Sequence, residues 1–150
     1  CDSRRQRQMC IRDRLHTGDY ATFDNEGYFY FKGRKDDIIN TSGYRVGPTE
    51  IENSILSLNE VEMVAVIGVP DEVRGEIIKA IVVPKDKSII KSGSVELKKR
   101  IKEHVKNNLA AYEYPRLIDF KKGLPLTTTG KIKRNILRKD HLEEKYERKI

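Results

Sequence analysis

The sequence has no tryptophan, and its two cysteines, Cys1 and Cys10, both fall within the first ten residues. From Leu15 onward there is no thiol. Disulfides and cysteine-based metal sites are therefore excluded from that part, and nothing in it calls for an oxidising compartment. No apolar run approaches the roughly 18 residues that a bilayer-crossing helix needs. Internal repeats and low-complexity tracts are missing, as are the interleaved exposed aromatics and motifs of nucleic-acid binders. What is present suits one small domain: 150 residues, 37% hydrophobic and 35% charged, enough for a single modest core.

Residues 1–14, CDSRRQRQMCIRDR, show no usable apolar period and no signal-peptide core. Their central part looks like a reading frame of a sequencing-library adapter, so the segment is expected to be non-native. It holds five Arg and two Asp. Of the 30 basic and 23 acidic side chains, 25 and 21 then remain, reducing the net charge from +7 to +4. So mild an excess suits an anionic small ligand as well as a polyanion. The cytoplasm is the expected compartment.

Beyond that segment, periodicity and turn chemistry give an order of elements. Residues 15–24 and 28–33 read as strands around Asp24-Asn25-Glu26-Gly27, a turn that tolerates positive φ. Tyr28-Phe29-Tyr30-Phe31 is aromatic on both faces, the pattern of a strand covered on both sides. Residues 36–46 read as a second hairpin turned at Ser42-Gly43. Gly47-Pro48 opens a helix with Glu50 and Glu52 at its positive end and Ile51, Ile55 and Leu58 as its buried stripe. Residues 61–69 and 76–84 are central strands. Residues 94–110 form an amphipathic helix with Leu97, Ile101, Val105 and Leu109 inward. Residues 115–120 add a strand, and 134–149 a last charged helix contacting the core through Ile136, Leu137 and Leu142. The fold class is α+β, with helices packed on a short mixed sheet.

The informative stretch is Gly33-Arg34-Lys35-Asp36-Asp37-Ile38-Ile39-Asn40-Thr41-Ser42-Gly43-Tyr44-Arg45. Its polar middle lies between apolar anchors, the composition of a hinge leading into a ligand-contacting loop. Two outlying pieces carry chemistry as well. In His16-Thr17-Gly18-Asp19, a carboxylate beside glycine can accept two hydrogen bonds from vicinal hydroxyls. In Leu124-Pro125-Leu126-Thr127-Thr128-Thr129-Gly130-Lys131, a loop expected to be mobile presents an ammonium, a compact charge suited to a phosphoryl or carboxylate oxygen. A Walker loop is excluded there, because Ile132 stands where Ser or Thr must be and Pro125 where the first glycine must be. On the residues alone, a surface lysine in a threonine-rich turn is the commoner reading of Lys131, and a plain turn the commoner reading of Thr17-Gly18-Asp19.

In this order and spacing, the three pieces resemble the C-terminal part of the adenylate-forming enzymes, most closely the AMP-forming acyl-CoA synthetases of acetate and short- or medium-chain acids. The likeness runs from about Leu15 to about Lys139 and reverses the balance at Lys131, which falls at the family's catalytic lysine. The resemblance implies that Asp19 binds the AMP ribose, with Arg34 and Arg45 as further nucleotide contacts. It makes Asp36 the hinge. Ser42, Gly43 and Tyr44 become the loop lining the pantetheine tunnel, and Lys106 a contact of the CoA 3′-phosphate. Leu126 departs from the lysine common there, and Asn40, also often lysine, tilts the subgroup toward short acyl chains. His104 and His141 are read as solvated and His16 as a packing residue.

The implied domain plan gives 15–35 to the end of a large N-terminal AMP-binding domain and 36–150 to a mobile C-terminal domain. The implied reaction activates a carboxylic acid with ATP and Mg2+ to an acyl-adenylate, then transfers the acyl group to CoA. The partners are the acid, ATP, CoA and the enzyme's own N-terminal domain, without nucleic acid or membrane. As a fragment, the chain is expected to be inactive alone. The rival readings are a ligase loading a carrier protein and a basic non-catalytic binding module.

Overall fold

The computed structural model describes residues 10–11, 14–15, 17–92 and 94–147. His16 and Lys149 lie outside them. The chain divides into two compact units, Cys1–Asp36 and Asp37–Ile150, each described by itself.

In the first unit, the short strands β1 (Cys10–Ile11) and β2 (Arg14–Leu15) pair antiparallel within and beside the segment set aside above. The strands β3 (Asp19–Phe23) and β4 (Phe29–Arg34) form a second antiparallel ribbon. Asp24 builds its turn. Its Oδ1 accepts from the amides of Glu26 and Tyr28 at 2.9 and 3.0 Å, and its Oδ2 from the Tyr30 hydroxyl at 2.8 Å. The Tyr30 bond first, and then the amides, hold this carboxyl below its usual range. Phe23, Tyr28, Phe29, Tyr30 and Phe31 are all exposed in this unit, which among the described residues offers only two-stranded ribbons; the cover expected on both sides of the strand is not supplied from within it.

The second unit is built on a five-stranded sheet. Its long hairpin, β7 (Val61–Asp71) and β8 (Gly75–Pro84), is antiparallel throughout. Along the other edge of β8 run the hairpin β5 (Ile39–Thr41) with β6 (Tyr44–Val46), antiparallel, and β9 (Leu117–Phe120), parallel. Pro70 is tolerated inside β7 because β7 is an edge strand. The sequence placed a longer loop between these strands. It shrinks because Asp71 Oδ1 accepts from the amides of Val73 and Arg74 at 3.2 and 3.0 Å, closing a tight turn.

Both faces of the sheet are covered, so β7 and β8 read as continuous apolar runs rather than alternating ones. On one face, helices α1 (Pro48–Leu56) and α3 (Val95–Asn108) bury Ile51, Ile55, Leu97, Ile101 and Val105 against Val64, Val66, Ala80 and Val82. Pro48 occupies the first turn of α1, and Ser94 caps α3 by accepting from the Leu97 amide at 3.2 Å. The one-turn helix α2 (Ser88–Ser92) was not foreseen; it starts where Asp86 Oδ1 accepts from the Ser88 amide at 2.9 Å. On the opposite face, Leu137 of α4 (Arg134–Glu147) packs with Leu124 and Ile132 against Ala65, Ile67, Val69 and Ile81. Only Leu137 of the expected α4 contacts is buried; Ile136 and Leu142 are more than a third exposed.

Lys79 of β8 faces α4 and is 3% exposed. Its Nζ lies 2.6 Å from Asp119 Oδ2, 2.9 Å from His141 Nδ1 and 3.8 Å from Glu144 Oε2. His141 is thus bonded as well as partly exposed, and the same holds for His104, whose Nε2 is 3.0 Å from Ser57 Oγ, joining α3 to the end of α1. Lys79→Met should change unfolding free energy by less than about 1.5 kcal/mol in urea titrations, since the thioether fills the stem's volume and the half-exposed carboxylates regain water. A loss above about 3 kcal/mol would show instead that the ion cluster holds α4 in place.

Candidate functional site

The predicted site residues fall into three groups. In the first unit, Asp19 and Arg34 are direct register partners across the β3–β4 ribbon, which places the two charges side by side on one exposed end. The Asp19 amide donates to Thr17 Oγ1 at 3.3 Å, and a Cβ on Gly18 would stand 3.6 Å from Arg34 Nη2. Pairing therefore brings together two residues separated by 15 positions in the sequence.

The second group surrounds the β5–β6 turn. Ser42 and Gly43 have φ of +50 and +85, the paired positive values of a two-residue hairpin turn that follows the twist of its strands. Nothing lies within 4 Å of a Cβ built on Gly43, so its backbone is open to a thin ligand. The Ser42 amide donates to the Arg74 carbonyl at 3.1 Å and Arg74 Nη1 to Ser42 Oγ at 3.4 Å, locking the turn to the β7–β8 tip. Tyr44 stacks on Tyr112 with centroids 4.1 Å apart and planes 5° from parallel. Lys106 Nζ sits 4.5 Å over the ring of Tyr114, and Arg116 5.2 Å from the same ring. Arg74, Tyr112 and Arg116 were not singled out from the sequence; the Tyr-Glu-Tyr-Pro-Arg run beyond α3 was the available signal. Arg45 is exposed on β6 opposite Asn40.

Lys131 makes the third group. The loop read as mobile is a tight hairpin tip. Gly130 donates to the Thr127 carbonyl at 3.0 Å, Thr127 to the Lys131 carbonyl at 2.7 Å, and the Lys131 amide to Thr127 Oγ1 at 3.0 Å. With Gly130 at φ +80, this is a three-residue turn closed by a glycine bulge. A bridge between Leu126 and Ile132 continues it, and Lys133 donates to the Pro125 carbonyl at 2.9 Å. Lys131 is exposed, and its ammonium has no hydrogen-bond or ion-pair partner among the described residues. Such an arrangement fixes the backbone that carries the cation while leaving its charge uncompensated.

Two further features frame these groups. Asp36 is exposed in the one-turn 3-10 helix Lys35–Asp37. Just before it, the Lys35 amide donates to the Gly18 carbonyl at 2.7 Å; just after it, Asp37 accepts from Arg134 Nη1 at 3.2 Å and Arg138 Nη2 at 3.1 Å. One neighbour of Asp36 is thus tied into each unit. Glu52 takes both its oxygens to Arg134, at 2.9 and 2.8 Å from Nη2, and its Oε1 accepts from the Val66 amide at 2.8 Å. No group of three or more His, Cys, Asp and Glu side chains among the described residues could hold a metal ion. No described helix is long and apolar enough to cross a membrane.

Comparison with known proteins places these groups in a family. Mouse (Mus musculus) acyl-coenzyme A synthetase ACSM3, mitochondrial, is 47% identical over 125 residues, which cover 82% of this chain and 21% of that protein. The 4-hydroxybutyrate–CoA ligase 1 of Metallosphaera sedula is 48% identical over 133 residues, covering 87% and 22%. The crystal structure of the anthranilate CoA ligase AuaEII with anthranoyl-AMP superposes with a TM-score of 0.80 at 37% identity, covering 91% of this chain and 26% of that one. The chain thus spans about a fifth of the length of the curated relatives it matches. The model of the AMP-binding enzyme C-terminal domain matches residues 50–131, which hold most of α1, the β7–β8 hairpin, α3, β9 and the lysine-bearing turn. On that match, which takes in more than half of the residues, the chain belongs to the AMP-binding enzyme C-terminal domain family.

Proposed function

We propose that this chain is the C-terminal part of an AMP-forming acyl-CoA synthetase that converts a short- or medium-chain carboxylic acid, ATP and CoA to acyl-CoA, AMP and pyrophosphate. The observation that carries the reading is the unpaired Lys131 ammonium on a rigid turn, in a chain of this family. In the first half-reaction the acid's carboxylate attacks the α-phosphorus and pyrophosphate leaves. Charge builds on the α-phosphate oxygens, and Lys131 would sit against them and the attacking carboxylate. Asp19 would accept from the ribose hydroxyls, with Arg34 and Arg45 donating to the nucleotide. Magnesium would be held by the nucleotide and the AMP-binding domain; no step here is routed through it.

In the second half-reaction the CoA sulfur attacks the acyl carbon and AMP leaves. The Ser42–Gly43 turn would let pantetheine approach the backbone closely. Tyr44 would line the pantetheine tunnel with that turn, and Lys106, with Arg116 beside it over the Tyr114 ring, would meet the CoA 3′-phosphate. Rotation about Asp36 would exchange the two poses, so one site serves two transition states. Residues 15–35 would close the large domain, whose surface would cover the exposed aromatics of β3 and β4. The compartment is taken as the cytoplasm, on the thiol-free sequence from Leu15 onward.

A carrier-protein pantetheine is the rival acceptor. Pyrophosphate exchange by the full-length enzyme with a panel of acids, followed by thioester assay with CoA and with a carrier protein, tests the reading. Acid-dependent exchange and free-CoA thioester are expected. Exchange without CoA thioester would favour the carrier, and no exchange with any acid would overturn adenylation itself.

A further inference from the structure

Arg134 stands three residues beyond Lys131, at the first position of α4. Its guanidinium is largely buried, with a side-chain exposure of 20%, against 10% for Glu52 and 17% for Asp37. It donates to both, so one planar fork joins three pieces of chain: the residue following Asp36, helix α1, and the stem of the Lys131 turn. Glu52 extends the joint into the sheet through the Val66 amide, and Arg138 braces Asp37 from the next turn of α4. Few exposed surface pairs have this form, since both oxygens of each carboxylate are used and the donors are held in a fixed geometry.

We propose that Arg134 is the positioning residue for Lys131, making the downstream side of the hinge, α1 and the lysine-bearing turn one rigid piece. The ammonium then arrives at the phosphate in a set place when the domain swings. Without the fork, the turn keeps its own hydrogen bonds but loses its fixed relation to Asp37. A misplacement of about 1 Å is enough to cost roughly 100-fold in rate. The proposal rests on the reading of Lys131 given above, and the experiment separates the two.

In the full-length enzyme, Arg134→Met leaves the buried Glu52 without its cationic partner and is expected to lower the thermal midpoint. Adding Glu52→Gln keeps an acceptor for Val66 and removes the stranded charge, so the double variant should recover most of that midpoint. If Arg134 positions Lys131, the double variant forms acyl-adenylate roughly 10- to 100-fold more slowly while converting supplied acyl-adenylate and CoA to thioester within about twofold of the parent. Arg134→Lys, which keeps charge without the fork, should fall between. Normal adenylate formation in the double variant overturns the proposal, as does an equal loss in both half-reactions, which marks a merely structural role. Lys131→Ala run beside it reads the underlying assignment: normal adenylation there removes the reading of Lys131 itself, whereas slow adenylation there with a normal double variant removes only the role of Arg134.

Discussion

Replacing Lys131 by methionine in the full-length enzyme is expected to slow acyl-adenylate formation by about 10²–10³-fold, corresponding to about 3–4 kcal/mol of transition-state stabilisation. The size follows from the environment of the ammonium. It is exposed, has no anionic partner among the described residues, and sits on a turn fixed by the Thr127 and Gly130 hydrogen bonds. Little of its charge is neutralised beforehand, and little reorganisation is needed when charge develops on the α-phosphate. Methionine keeps the stem's length and removes only the charge, so the midpoint of thermal unfolding should hardly move. The measurement is single-turnover adenylate formation at saturating acid and ATP, and a loss below about threefold would mean that the charge is not used in that step.

Leu137→Ala is expected to cost about 2–5 kcal/mol of stability. Leu137 is 1% exposed and is the one fully buried apolar residue by which α4 meets the sheet among the described residues. Its neighbours Ala65, Ile67, Val69 and Ile81 lie on paired strands that cannot collapse into the void, which puts the cost toward the upper half of that range. Because Ile132 shares the same cluster, the Lys131 turn should loosen as α4 does. Urea unfolding measures the first effect. Amide exchange at Gly130 and Lys131, whose hydrogen bonds close the turn, measures the second. A cost below about 1 kcal/mol would show that polar ties through Lys79 and Arg134 hold α4 by themselves.

Much of this was legible from residues alone, for a physical reason. Ser42-Gly43 between apolar anchors, Pro48 after Gly47, and the four-residue spacing of Leu97, Ile101 and Val105 are local signals, and each became the element it announced. What the sequence concealed depends on distant pairing. Arg134 and Glu52 are 82 positions apart, and Lys79 and His141 are 62 apart. Glu52 read only as an acidic residue favouring a helix N-terminus, and Lys79 fell unremarked inside the central strand 76–84. Composition misled at one loop. Threonines and glycine suggested a slack loop at 127–130, whereas the hydroxyl of Thr127 and the positive φ of Gly130 close it.

The sharpest test sets two variants of the full-length enzyme against two half-reactions. Lys131→Met removes the charge from one turn; Gly43→Asn adds bulk to the other with a residue that tolerates its positive φ. Each variant is assayed for acyl-adenylate formation and, with acyl-adenylate supplied, for thioester formation. The account predicts a crossed pattern, with Lys131→Met slow only in the first step and Gly43→Asn slow only in the second. Equal slowing of both steps by either variant would contradict it.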